Sequence, residues 1–159
     1  MIPYLSEVKE VTLPAYVAIG KSMVSKEPEN DSIAFMLQFR LEHKINPLAE
    51  IGSDVPVSVE DRDHGRRGYV DYLIVDKETF DRVQDSRICK IEVPAAKYLT
   101  LTIADPFKDP FERIPLGWQK LVQALEAGHQ FRDDIVFGGF EEVVKSLIHT
   151  QMNIYLAIK

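Results

Sequence analysis

The chain has little of what marks several common classes of protein. Its single cysteine, Cys89, excludes an internal disulfide framework and fits a reducing compartment. No stretch approaches the ~20 consecutive apolar residues of a membrane-spanning helix. The first residues lack the basic and apolar regions of a signal peptide. The sequence therefore predicts a cytoplasmic protein that does not associate with membranes.

Basic residues are in the minority. The 19 lysines and arginines face 25 aspartates and glutamates, which gives a net charge of −6. Because a nucleic-acid-binding domain needs a basic face, direct nucleic-acid binding is not expected, and cationic or neutral partners are favoured. The four histidines are scattered, with no HxxxH or CxxC spacing, so no metal site is predicted. We expect no cofactor.

Short segments recur along the chain. The run Val11-Thr12-Leu13-Pro14-Ala15 returns as Ile91-Glu92-Val93-Pro94-Ala95, displaced by 80 positions (residue 11 to residue 91). At that displacement Ile135 and Phe137 follow Val55 and Val57. The run starting at Tyr72 resembles the one starting at Tyr155, at a displacement of 83 (residue 72 to residue 155). These pairs indicate an internal duplication.

The pattern of each repeat is strand, helix, strand, strand. One half buries too little surface to stand alone, so residues 1–159 are predicted to form one domain of two repeats, about 1–80 and 81–159. The predicted fold class is α+β, with pseudo-twofold symmetry, an antiparallel sheet and a central cleft. Grooves between helices on a sheet are common ligand sites, and the predicted partner is a small molecule in that cleft.

Helical periodicity places one helix in each repeat. In the second helix, Pro115 suits the first turn and Gly128 suits the stop, with Trp118 on the apolar stripe. In the first helix, Phe39 lies beside the apolar stripe, which favours a place at the cleft. That stripe is formed by Ile33, Met36, Leu37, Leu41, Ile45 and Leu48.

The segment from Ile135 to Val144 carries the functional prediction. Its β-branched and apolar ends predict a strand, half-buried like the one predicted at Val55, Val57 and Val59. Strand side chains alternate between faces, so only one of Glu141 and Glu142 can point inward. In a regular strand Phe137 shares the face of Glu141, whereas a bulge at Gly138-Gly139 reverses that parity.

Taken together, the motifs of this chain resemble the GyrI-like small-molecule-binding domains, which occur alone or as effector domains of AraC-type and MerR-type regulators. The resemblance spans essentially the whole chain. It rests on the order and spacing of Leu13-Pro14-Ala15, Tyr69-Val70-Asp71-Tyr72, Val93-Pro94-Ala95-Ala96-Lys97-Tyr98, Trp118, Phe140-Glu141 and Ile154-Tyr155-Leu156-Ala157-Ile158.

The resemblance implies a pocket for bulky apolar molecules, often cationic or planar, with Glu141 matching the family's pocket glutamate and Glu142 facing away to solvent. The predicted ligand-binding residues are Glu141, Tyr72, Trp118, Phe39 and Phe137. We favour a regulator-like binding domain over an enzyme, because the chain has Met36 and Val143 where relatives usually carry tryptophan and tyrosine. A further departure is Val75, where relatives often carry glycine.

Three alternatives stay open at this point. One is a hydrolase of strained cyclopropanoid compounds, in which Glu141 acts as general base and Tyr72 as hydrogen-bond donor. The others are a tetrapyrrole carrier and a protein inhibitor. A protein partner or a homodimer is also compatible with the sequence.

Overall fold

The computed structural model describes residues 1–159 and is α+β. The chain forms eight strands and four helices. In chain order these are β1 (Lys9–Leu13), β2 (Tyr16–Ser25), α1 (Pro28–Glu42), β3 (Ala49–Val55), α2 (Val59–Asp63), β4 (Arg67–Val75), α3 (Lys77–Arg82), β5 (Cys89–Val93), β6 (Ala96–Ala104), α4 (Pro110–Glu126), β7 (Gly139–Lys145) and β8 (Thr150–Ile158).

The residues form two compact units. Unit 1 comprises Met1–Ala15 and Val93–Lys159, and its strands follow the order β1-β6-β8-β7 with antiparallel pairings. Unit 2 comprises Tyr16–Glu92 and has the order β3-β4-β2-β5, with antiparallel pairing of β4 to both β2 and β3. The order strand, helix, strand, strand occurs in unit 2 as β2, α1, β3 and β4 and in unit 1 as β6, α4, β7 and β8, with β5 and β1 as additional edge strands and with the short helices α2 and α3 in unit 2. This arrangement confirms the predicted antiparallel α+β duplication.

Prolines interrupt the strands where the sequence predicts. β1 ends at Leu13 and β2 begins at Tyr16, with Pro14 between them. Pro94 stands in the same way between β5 and β6. Proline has no backbone N–H to donate to a neighbouring strand, so the pairing stops there.

Helix α1 packs on unit 2 through a face that the periodicity predicts only in part, since Met36 and Ile45 of the predicted stripe are buried. Its buried side chains include Ser32, Met36 and Phe39. Four members of the predicted stripe are exposed instead: Ile33, Leu37, Leu41 and Leu48. Ser32 can be buried because its hydroxyl donates a hydrogen bond of 2.6 Å to the carbonyl of Lys21.

The strand predicted at Val55, Val57 and Val59 is wrong in its bounds. β3 lies earlier, over Ala49–Val55, and Val59 begins α2, where the Ser58 hydroxyl accepts a hydrogen bond from the Asp61 N–H. An N-cap serine of this kind starts a helix despite the β-branched residue that follows.

Helix α4 packs on unit 1. It begins at Pro110, so Pro115 lies inside the helix and not in its first turn as predicted. Its apolar face meets a core of strand residues that includes Leu101, Ile103 and Ile154, and Trp118 packs against that core. The helix ends at Glu126 with Gly128 just beyond its cap, as predicted.

Candidate functional site

Glu141 lies on the face of the unit 1 sheet that carries α4. It is directly opposite Ile154 on β8, and directly opposed residues share a face. Ile154 belongs to the core beneath α4, together with Leu121 of that helix. The Glu141 side chain is half-buried. A carboxylate therefore stands beside apolar strand residues on this α4-side face.

Trp118 is the predicted site residue that shares the α4-side face with Glu141. It lies on α4, is half-buried, and packs against the same core as Ile154. The structure thus brings a carboxylate and an indole to one side of one sheet.

Phe137 lies on the other side of that sheet. The backbone has a φ of 59° at Phe137, in the turn before β7 begins at Gly139. Its ring stacks on Phe140 with centroids 5.6 Å apart, and Phe140 stacks on Tyr155 at 4.7 Å. The strand predicted from Ile135 is therefore too long, and the left-handed residue reverses the parity that would have placed Phe137 beside Glu141.

Glu142 shares the face of Phe140 and is half-buried, so it is less exposed than predicted. Its Oε1 accepts a hydrogen bond of 3.5 Å from the Asn153 amide, whose own oxygen accepts one of 2.7 Å from the Thr102 hydroxyl. Burial raises the pKa of Tyr155, and the negative charge of Glu142 adds to the rise. Glu142 belongs to a polar ladder across β6, β8 and β7.

In unit 2, Phe39 and Tyr72 lie on opposite faces of the sheet. Phe39 is buried between α1 and the strands, and its ring stacks on His43 at 4.2 Å. Tyr72 is directly opposite Gly20, whose missing side chain leaves room for the tyrosine ring. Burial and the Cys89 thiol raise the pKa of Tyr72, and that thiol donates to its hydroxyl at 3.4 Å.

Two carboxyl groups in unit 2 escaped the sequence-based selection of site residues. Asp71 on β4 is only 2% exposed, and its carboxyl group shares a hydrogen bond with that of Glu50 on β3. Burial, followed by the hydrogen bond and the charge of Glu50, raises the pKa of Asp71 to about 9. The signal was an aspartate inside the apolar run of β4, since aspartate is almost never buried without a partner.

An open pocket of about 710 Å³ lies in unit 1, away from all the predicted site residues. It carries charges of both signs, and Arg132 and Asp134 are paired across 2.8 Å. Its lining is Thr12, Ala95, Ala96, Lys97, Arg132, Asp133, Asp134, Ile158 and Lys159.

The structure contains neither a cluster of metal-ligating side chains nor a membrane-spanning helix. No three histidine, cysteine, aspartate or glutamate side chains come together in a way that could hold a metal ion. No helix is both long enough and apolar enough to span a membrane.

Comparison with known proteins finds similarity in structure alone. No protein-family model matches the sequence, and no curated protein matches it. The crystal structure of the EcmrR C-terminal domain matches with a TM-score of 0.62 at 12% identity, over 96% of this chain and 97% of that one. The chain shares its fold with that domain.

Two further structures extend this likeness. EcmrR in its complex with DNA gives a TM-score of 0.71 at 10% identity over 99% of this chain, which spans only 59% of the EcmrR chain. SAV2435 bound to tetraphenylphosphonium gives 0.56 at 13% identity, over 97% of this chain and 94% of that one. These matches are consistent with the fold implied by the resemblance to GyrI-like domains.

Proposed function

We propose that this chain is a small-molecule-binding domain, similar to the effector-binding part of a transcription regulator, and that its ligands are hydrophobic cations. The observation that carries this proposal is the fold shared with SAV2435 over 97% of the chain, because that protein holds tetraphenylphosphonium, a lipophilic cation. The likeness to EcmrR, a protein seen in complex with DNA, supports the connection to regulation.

Glu141 is the proposed anchor for the ligand's charge. Its half-buried carboxylate lies on the α4-side face, opposite Ile154. The attraction between a carboxylate and a cation is stronger beside apolar groups than in water, so a cationic ligand is favoured there. Trp118 on the same face offers an aromatic ring, which attracts cations through its quadrupole. Tyr72, Phe39 and Phe137 stay predictions as lining residues.

The test is calorimetry with two ligands of similar shape, methyltriphenylphosphonium and neutral triphenylphosphine oxide. Replacing Glu141 by glutamine keeps the size of the side chain and removes its charge. We expect Glu141→Gln to weaken binding of the cation by about 1–3 kcal/mol, the scale of one lost interaction with a charged group. Binding of the neutral oxide should change much less.

Glu142→Gln is the matched control. It removes the same charge from the next residue, on the opposite face, and glutamine keeps an oxygen that can accept from Asn153. Binding of both ligands should stay close to that of the unmodified protein. Equal losses for the two ligands in Glu141→Gln, or a larger effect in Glu142→Gln, would show that the anchor lies elsewhere.

A further inference from the structure

Asp71 is the middle residue of β4 in unit 2, and one oxygen of its carboxyl group accepts no hydrogen bond. It is directly opposite Lys21 on β2 and Gly52 on β3. It lies on the face that carries α1, since Leu73, two residues along β4, packs against that helix. Its Oδ2 atom is buried and has no hydrogen-bond partner. A buried acceptor oxygen without a donor is costly and rare.

Glu50 connects this buried group to the surface. It lies on β3, two residues from Gly52, and is exposed. Two carboxyl groups can share a hydrogen bond only when one of them carries a proton. With the raised pKa of Asp71, the pair holds one proton and one negative charge near neutral pH.

The basic residue directly opposite Asp71 is Lys21, and its ammonium group is bonded to a different partner. Lys21 donates its ammonium group to the carbonyl of Arg87, 3.0 Å away, and lies 5.0 Å from the centre of the Phe35 ring. The same face of β4 carries Tyr69, whose hydroxyl lies against Gly52, and Arg67, whose guanidinium group donates two hydrogen bonds to the carboxylate of Glu29. The buried face of α1 presents Ser32, Met36 and Phe39, which carry no charge. None of these groups donates a hydrogen bond to Oδ2 of Asp71.

We propose that Asp71 and Glu50 form a receptor for an ammonium group that carries N–H donors, such as that of a hydrophobic primary amine. The ammonium group donates to Oδ2 of Asp71, and the proton shared by the two carboxyl groups leaves to solvent. No covalent bond changes. This inference deepens the proposed function, on which it rests, by naming the ligand's head group and a second carboxylate site.

The test compares 2-naphthylmethylamine with its N,N,N-trimethyl derivative, which has the same ring and charge but no N–H donor. Calorimetry near pH 7.5, in two buffers that differ in ionisation enthalpy, gives the affinity and the number of protons released. We expect release of about one proton for the amine and almost none for the quaternary ion, because only an N–H donor favours two charged carboxylates. Equal proton release by the two probes would overturn the proposal.

Asp71→Asn removes the titrating group and keeps the shape of the side chain. The variant should lose the proton release and bind the amine about tenfold more weakly, the scale of one lost hydrogen bond to a charged group. Its affinity for the quaternary ion should be nearly unchanged. Asp63→Asn, at an exposed position ending α2, removes the same charge elsewhere in unit 2 and should change neither quantity.

The outcomes separate this inference from the proposed function. Asp71-dependent proton release, with no effect of Glu141→Gln on phosphonium binding, supports the receptor and rejects Glu141 as anchor. Glu141-dependent phosphonium binding by a protein that does not bind the amine rejects the receptor alone. Proton release that persists in Asp71→Asn also rejects it.

Discussion

The two units share a strand order, but their carboxylate side chains occur at different positions on equivalent strands. In the second strand of each repeat, unit 2 reads Glu50-Ile51-Gly52 and unit 1 reads Gly139-Phe140-Glu141. Glu50 is directly opposite Leu73 and its counterpart Gly139 is directly opposite Leu156. Glutamate and glycine have thus exchanged places between the units at an unchanged backbone register.

The neighbouring central strands differ in a complementary way. Asp71 is the middle residue of β4, opposite Lys21, while Ile154 is the middle residue of β8, opposite Leu101. Unit 1 therefore keeps an apolar centre with a half-buried carboxylate on the next strand. Unit 2 buries a carboxyl group at the centre. The two repeats keep the same strand pairing, but the positions that carry polar side chains differ between them.

Replacing the middle residue of β8, Ile154, by the aspartate found in the middle of β4 should have the largest effect on stability. Ile154→Asp places the unit 2 residue in the apolar core of unit 1, directly opposite Glu141. We expect a loss of about 3–5 kcal/mol in the free energy of unfolding, measured with denaturant, because a carboxyl group is buried among apolar side chains and beside a second carboxylate. The conservative change Ile154→Val should cost only about 1 kcal/mol. Similar losses for the two variants would mean that the two centres tolerate polar groups alike.

The pH dependence of stability should distinguish the buried acid of unit 2. The folded-state pKa of Asp71 is raised, so the folded protein binds more protons than the unfolded chain between the ordinary pKa of about 3.9 and the value of about 9. Its contribution to stability is complete below that range and is lost as pH rises through it.

Denaturant unfolding between pH 5 and pH 9 measures this loss. Relative to Asp71→Asn, the unmodified protein should lose more than the ~1.4 kcal/mol that one pKa unit represents. Parallel stability curves for the two proteins would show that Asp71 is not protonated in the fold.

The exchanged glycines should respond differently to a methyl group. At Gly52 an added Cβ would overlap the hydroxyl end of the rigid Tyr69 side chain, whereas at Gly139 it would meet a flexible methyl of Leu156 at 3.3 Å. We expect Gly52→Ala to lower stability by about 1–2 kcal/mol and Gly139→Ala by about half as much or less. Thermal unfolding of the pair measures the difference, and a larger loss at Gly139 would contradict this account.

The two long helices and most of the strands could be predicted from the sequence, because the recurring Pro-Ala segments mark where strands break, whereas the short helices α2 and α3 were not predicted. The buried face of α1 could be predicted only in part. Periodicity assigns serine to the solvent and leucine to the core, yet Ser32 is buried through its hydrogen bond to Lys21 and Leu37 is 55% exposed. A hydrogen bond to a distant carbonyl leaves no trace in a hydropathy pattern.

For the predicted site residues too, some positions could be predicted from the sequence and others could not. Glu141 and Trp118 share a face as alternation allows, but Phe137 moved to the other face because of one residue with positive φ. A positive φ is uncommon outside glycine, asparagine and aspartate, so a phenylalanine at this position gives no indication of it. Asp71 and Glu50 meet only because the register of β3 against β4 brings them together, and that register is not written in either segment.

The break at Pro14 has a consequence for the order in which the protein folds during synthesis. Unit 2 is one continuous segment, so it is synthesised after Met1–Ala15 of unit 1 and before Val93–Lys159 of unit 1. β1 is made first, yet its partner is β6, with Val11 pairing to Tyr98. The first strand must therefore wait, unpaired, while the whole of unit 2 is translated, since its pairing depends on a contact distant along the chain.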